Sequence, residues 1–169
     1  MKGKDIFYNY IDESETKLKD HTALKDHTAR VVKMCEKFSE KLDLNGERKE
    51  LLIDAAWLHD IAKFNNKKQH NEEKYIRAAV IKVSEDKELS AICEIIKAHK
   101  GDFEPCKEYE LEAAILRICD KLDKFKKGQD DAYKKCRESM EEIKEIIPEL
   151  PIEFEKTYNS FMKQEGYYL

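Results

Sequence analysis

The sequence predicts an all-α protein, a compact bundle of several helices that forms a single domain over residues 1–169. Charged residues make up 40% of the chain, and most of them are Lys and Glu, which favour helices. Only five Gly and three Pro interrupt the sequence. Apolar residues recur every three or four positions, and we find no convincing strand-like alternation. A chain of this length can bury a sufficient core without disulfides or structural metals.

The individual helices follow from the apolar spacing and from the turn-forming residues between them. Asn45-Gly46 predicts a turn, Gly128 predicts a break, and the polar run at 65–68 predicts a loop. We expect a first helix within Lys4–Leu18 and further helices over Asp26–Leu42, Arg48–Ile61, Asn71–Val83, Lys87–His99 and Tyr109–Lys126, with one or two more in Asp131–Ile147 and Glu153–Lys163.

Charge and cysteine content restrict the class of partner. The net charge is −4, which argues against general binding of polynucleotides. The five Cys form no CxxC pair and are typical of reduced thiols. The sequence has neither an apolar signal core near residue 1 nor a stretch approaching the ~20 apolar residues of a membrane helix. We expect a cytoplasmic protein without a membrane partner, and we leave its oligomeric state open.

The predicted third helix carries the most informative pair of residues. Its segment Leu51–Leu58 contains one charge in eight residues, which indicates a buried helix. His59 and Asp60 follow at its C-terminal end. A carboxylate in apolar surroundings needs a positive partner, because an unpaired buried charge is costly. That partner is either a metal ion or, in the more ordinary alternative, a lysine beside a core histidine.

Three more polar residues lie on apolar helical faces. His27 is in register with an apolar stripe of its predicted helix, formed by Val31, Met34, Cys35, Phe38 and Leu42. His99 ends the apolar stripe formed by Ile92, Ile95 and Ile96. Asp120 shares a helical face with Ala113 and Leu116. His and Asp together are typical ligands of Fe, Mn, Co, Ni or Zn, so we expect one or two divalent transition-metal ions. The tandem sequence LKDHTA also offers His21, but His27 is the residue in register with the apolar stripe.

The order His27, His59-Asp60, Asp120 resembles the HD superfamily of metal-dependent phosphohydrolases. The surrounding sequences DHTARVV, AAWLHDIAK and RICDKLDK are similar to that family as well. The resemblance covers about residues 20–127 and leaves the C-terminal helices in 131–163 outside it.

The resemblance extends to the dinuclear branch, which includes bacterial hydrolases of symmetrical dinucleoside tetraphosphates. It implies that the metal ligands are His27, His59, Asp60, His70, His99 and Asp120. In that arrangement Asp60 bridges two ions, and His70 and His99 complete the second one. His70 lies off the apolar stripe of its helix, so a surface histidine is the alternative there.

The departures from the family narrow the expected substrate. The residues after Asp60 read IAKF in place of the acidic HDxxED of stringent-response nucleotide hydrolases, and the chain lacks the GYP element of cyclic-di-GMP phosphodiesterases. Lys63 matches a lysine common in the family. Lys63 and Lys100 are candidate phosphate-binding residues, and Arg30 either binds phosphate or pairs with a carboxylate. Other nearby lysines (67, 68 and 97) belong either to a phosphate pocket or to a solvated face.

Three functions are compatible with these residues. The first is hydrolysis of a phosphate ester or anhydride in a small phosphorylated substrate, most plausibly a nucleotide, with Asp60 and Lys63 as the catalytic residues. The second is an oxygenase of the HD type that uses the same ligands for two iron ions. The third is a non-catalytic module that binds a nucleotide, against which the complete ligand set argues.

Overall fold

The computed structural model describes residues 3–13, 21–64, 71–80, 86–126 and 131–164. These residues form an all-α bundle, as the sequence predicts. The helices are α1 (Gly3–Glu13), α2 (His21–Lys41), α3 (Gly46–Leu58), α4 (Glu73–Ala79), α5 (Asp86–Lys97), α6 (Glu110–Lys126), α7 (Ala132–Ile146) and α8 (Ile152–Gln164), with short 3-10 turns at Ile61–Phe64 and Lys107–Tyr109.

Helix α3 is the centre of the bundle and packs against α1, α2, α5 and α6. Its second half, from Leu52 onward, is almost entirely buried, which confirms the interpretation of its apolar sequence. Asn45 caps the start of the helix, because its side-chain oxygen accepts a hydrogen bond from the backbone N–H of Arg48 at 3.0 Å. The Asn45-Gly46 pair therefore begins α3, and α2 has already ended at Lys41.

The other boundaries differ from the predictions by a few residues, except at α2. That helix begins at His21, five residues before the predicted Asp26, so His21 and His27 lie on the same helix. Helix α7 ends at Ile146, since Ile147 precedes Pro148 and the residue before a proline avoids the α region. The predicted extensions of α1 to Leu18 and of α4 to Val83 fall outside the described residues.

Aromatic side chains join the C-terminal helix to the part of the bundle that carries the site. The ring of Phe38 on α2 lies 5.2 Å from that of Phe154 and stacks at 5.8 Å on Phe161, both on α8. All three side chains are buried. None of the helices in the described part of the chain is long and apolar enough to cross a membrane.

Candidate metal centre

Helix α2 brings His27 into the interior from its buried face. Val31, Cys35 and Phe38, on the same face, are completely buried, and the histidine itself is 5% exposed. The His27 Nδ1 atom lies 2.6 Å from Asp123 Oδ2. A carboxylate accepts the Nδ1 hydrogen, so the other ring nitrogen, Nε2, faces the centre of the bundle.

The end of α3 supplies the next two residues. His59 and Asp60 follow Leu58, the last residue of the helix, and both are completely buried. His59 Nδ1 donates a hydrogen bond to the carbonyl oxygen of Ala56 at 2.7 Å. A carbonyl can only accept, so Nδ1 carries the hydrogen and Nε2 of the neutral ring has a free lone pair.

The same arrangement occurs after α5. His99 is buried, and its Nδ1 donates to the carbonyl oxygen of Ile96 at 2.5 Å. The ring centroids of His59 and His99 are 5.3 Å apart. His99 Nε2 lies 3.8 Å from Asp60 Oδ1. Backbone carbonyls in the last turns of two helices thus orient two histidines toward one carboxylate.

Helix α6 completes the group with Asp120. Its Oδ1 atom lies 3.3 Å from His27 Nε2 and 3.9 Å from His59 Nε2. Its Oδ2 atom accepts a hydrogen bond from Lys124 Nζ at 2.9 Å, and Lys121 Nζ is 3.7 Å away. One oxygen of Asp120 therefore faces the histidines and the other faces the lysines.

Four of these residues could hold a metal ion. One ligand atom from each of His27, His59, Asp60 and Asp120 lies within 4.8 Å of the other three. The two Nε2 atoms of the histidines are 3.2 Å apart, and His27 Nε2 is 3.3 Å from Asp60 Oδ2. Buried imidazole nitrogens and carboxylate oxygens in this mixture suit a borderline transition metal.

The pKa values of the two histidines are shifted in opposite directions. Burial disfavours a charge on His27, but the three surrounding carboxylates raise its pKa to about 10. Complete burial lowers the pKa of His59 to about 4, so this ring stays neutral. A proton on His27 Nε2, shared with His59 Nε2 at 3.2 Å, gives His27 the positive charge that the nearby carboxylates favour. A divalent ion replaces such a proton, which is how metal binding and proton release are usually coupled.

Lowered pKa values keep the carboxylates of Asp120 and Asp123 ionised at neutral pH. Burial alone would raise the pKa of Asp120, but the adjacent His27 and the cation of Lys124 hold it well below its usual range. Burial also opposes ionisation of Asp123, yet His27 and Arg30 lower its pKa to about 2.

Asp123 is the site residue that the sequence analysis missed. It is completely buried and joins His27 to Arg30, whose Nε donates to Asp123 Oδ1 at 2.5 Å and whose Nη2 donates to Oδ2 at 3.2 Å. A signal was available, because residues 113, 116, 120 and 123 have the three-four-three spacing of one helical face. Of the two roles left open for Arg30, the structure shows the pairing with a carboxylate.

The remaining candidates lie in different surroundings. Lys63 donates a hydrogen bond to Asp60 Oδ2 at 2.5 Å, so its ammonium group is at the centre. Lys97 and Lys100, which flank His99, are exposed. His70 and lysines 67 and 68 lie outside the described residues.

A comparison with protein-family models matches residues 24–124 to the HD domain. This match spans more than half of the chain. The chain belongs to the HD domain family. Members of the HD family are mostly metal-dependent phosphohydrolases, and the buried group of His27, His59, Asp60 and Asp120 agrees with that chemistry. Comparisons with curated proteins and with solved structures gave no match.

Proposed function

We propose that the protein is a metal-dependent phosphohydrolase that cleaves a phosphate ester or anhydride of a small substrate, in particular a nucleotide. The observation that carries this proposal is the convergence of His27, His59, Asp60 and Asp120 in one buried group that could hold a metal ion. The HD domain match supports the same class of reaction.

The ligands assigned to the first ion are these four residues, with Fe, Mn, Co, Ni or Zn as the metal. When bound, such an ion supplies a water activated near neutral pH and a Lewis acid for a phosphoryl oxygen. Asp123 holds His27 so that Nε2 faces the ion, the outer-shell arrangement typical of metal-binding histidines. The chain itself forms no covalent bond to the substrate in this scheme.

A second ion is part of the proposal. The two oxygens of Asp60 face different histidines, since Oδ2 lies 3.3 Å from His27 Nε2 and Oδ1 lies 3.8 Å from His99 Nε2. A carboxylate in this position can bridge two cations. We assign His99 to the second ion and, by its place in the sequence alone, His70.

The substrate-facing groups are lysines. Lys63 contacts Asp60 and is still 27% exposed, so its ammonium group can reach a phosphoryl oxygen beside the ligands. Lys100 directly follows His99 in the sequence and is exposed. Because both guanidinium contacts of Arg30 go to Asp123, we assign Arg30 to holding that carboxylate and not to the substrate. The net charge of −4 favours a small anion over a polynucleotide.

The decisive test combines metal analysis with a hydrolysis screen. Wild type, His27→Ala and Asp60→Ala are purified, their metal content is measured, and helical content is checked by circular dichroism. We expect both variants to lose metal and to stay helical. His21→Ala is the matched control, since His21 occupies the same LKDHTA sequence, and it should retain the metal. Full occupancy in both test variants would show that the site is assigned wrongly.

The screen then identifies the reaction. Nucleoside mono-, di- and polyphosphates, dinucleoside polyphosphates, and single- and double-stranded nucleic acids are tested with Mn²⁺, Fe²⁺, Co²⁺, Ni²⁺ and Zn²⁺. We expect metal-dependent release of phosphate or nucleotide from small substrates. Preferential cleavage of polynucleotides would contradict the proposed substrate, and an oxygen-dependent reaction without hydrolysis would favour an oxygenase.

A further inference from the structure

Two lysines of α6 approach the same oxygen of the same carboxylate. Lys124 Nζ donates to Asp120 Oδ2 at 2.9 Å, and Lys121 Nζ lies 3.7 Å from that oxygen, beyond hydrogen-bonding distance. The two side chains are 35% and 19% exposed, so each reaches from the metal centre to solvent. One negative charge is thus shared by two positive ones.

Neutralisation of Asp120 does not explain this pair. A single well-placed ammonium group satisfies one carboxylate oxygen, and a second one nearby adds repulsion between like charges. Lysine also loses much side-chain freedom when it is held in one position. A second ammonium group held at this distance is suited to an anion that the protein itself does not supply.

The net charge of the side chains around the centre also favours an anionic ligand. Among the residues that the structure describes, the three carboxylates of residues 60, 120 and 123 are contacted by four cationic side chains: Arg30, Lys63, Lys121 and Lys124. With neutral histidines the net charge of these groups is one positive, and a divalent ion raises it to three. A phosphate monoester supplies at most two negative charges, whereas two linked phosphates supply three or more.

We propose that Lys121 and Lys124 form a second phosphate subsite beside the metal centre. The substrate then carries at least two linked phosphates, one next to Lys63 and the metal ligands and one next to the α6 lysines. This inference rests on the proposed phosphohydrolase function and adds the substrate class to it. Oδ1 of Asp120 faces the histidines and Oδ2 faces the lysines, so the two ammonium groups lie beside the proposed metal ligands, where a phosphate could contact them.

The test measures anion binding without turnover. Protein loaded with Mn²⁺ is titrated with inorganic phosphate and with pyrophosphate in a calorimeter. Wild type should bind pyrophosphate at least tenfold more tightly than phosphate. The double variant Lys121→Gln/Lys124→Gln should lose roughly ten- to hundredfold in pyrophosphate affinity, as expected when charge-assisted hydrogen bonds are removed, and less than threefold in phosphate affinity.

Metal affinity separates a phosphate-binding role from a structural one. The two ammonium groups would repel a cation bound at Oδ1 of Asp120 without being its ligands, so the double variant should bind Mn²⁺ at least as tightly as wild type while its pyrophosphate affinity falls. A parallel loss of both affinities would mean that the lysines only maintain the fold, and the proposal would be wrong. Lys134→Gln is the control, because Lys134 makes the same i,i+4 pair, with Glu138, on an exposed part of α7.

The outcomes also distinguish this proposal from the one on which it rests. If wild type hydrolyses phosphate esters but binds pyrophosphate no more tightly than phosphate, only the second subsite is wrong. If pyrophosphate binding depends on Lys121 and Lys124 but no phosphate compound is hydrolysed, the anion subsite stands and the hydrolase assignment fails.

Discussion

Replacing Asp123 with Asn tests whether this carboxylate prepares His27 for metal binding. The buried carboxylate accepts the Nδ1 hydrogen of His27 at 2.6 Å, and it accepts two hydrogen bonds from Arg30 at 2.5 and 3.2 Å. Asn has almost the same shape but only one accepting oxygen. Because Arg30 can only donate, it holds that oxygen and turns the amide NH₂ toward His27 Nδ1.

The expected effect follows from the tautomer of the histidine. An NH₂ group facing Nδ1 favours the ring with its hydrogen on Nε2, the nitrogen that lies 3.2–3.3 Å from the other ligand atoms. The ring must change its tautomer and lose a hydrogen bond before it binds metal. Loss of an outer-shell partner of this kind weakens metal affinity by about ten- to a hundredfold, or ~1.4–2.7 kcal/mol.

Competition with a fluorescent chelator measures the Mn²⁺ or Zn²⁺ affinity, and ¹⁵N NMR of the imidazole reports the tautomer of His27. Asp54→Asn is the matched control, because Asp54 is also buried but contacts Gly3 and not the metal ligands. Wild-type affinity in Asp123→Asn, with the hydrogen still on Nδ1, would refute the reasoning. So would an equal loss of affinity in the control.

Three further predictions concern the second ion and the stability of the fold. His99→Ala should reduce the metal content from two ions per chain to one, measured by elemental analysis; two ions in the variant would exclude His99 as a ligand. Burial raises the pKa of Asp54 to about 6, against the opposing hydrogen bond from Gly3, so protonation favours the folded state. This contribution, at most about 3 kcal/mol, is present below pH ~4 and is lost as the pH rises through 6. The difference in unfolding free energy between wild type and Asp54→Asn should therefore decrease over that interval, and a constant difference would contradict it. Gly3→Ala should destabilise the protein by ~1–3 kcal/mol in urea, because its Cβ would lie 2.8 Å from backbone atoms of Asp54. Gly46→Ala is the control, since its Cβ would meet nothing within 4 Å.

The inward positions of His27 and Asp120 could be predicted because a helix repeats every 3.6 residues. A polar residue within an apolar stripe, such as His27 or Asp120, must lie inside the bundle, and a buried polar residue needs a partner. The ends of the helices could be predicted less well. The start of α2 was placed five residues late, because the segment His21–Lys25 (HTALK) is too short to show an apolar face that marks it as helical.

The all-α class, the burial of α3 and the inward-facing residues His27, His59, Asp60 and Asp120 could all be predicted from the amino-acid sequence. All of these features follow from the spacing of apolar residues along the chain, which can be seen without knowing how the helices pack. The partners of several charged residues, by contrast, depend on the tertiary structure. The contacts of Arg30 with Asp123, 93 positions apart, depend on how α2 and α6 pack, whereas Lys121 and Lys124 are neighbours of Asp120 on the same helix. A charged side chain on a helix has several possible partners in sequence, and the distances between packed helices select one of them.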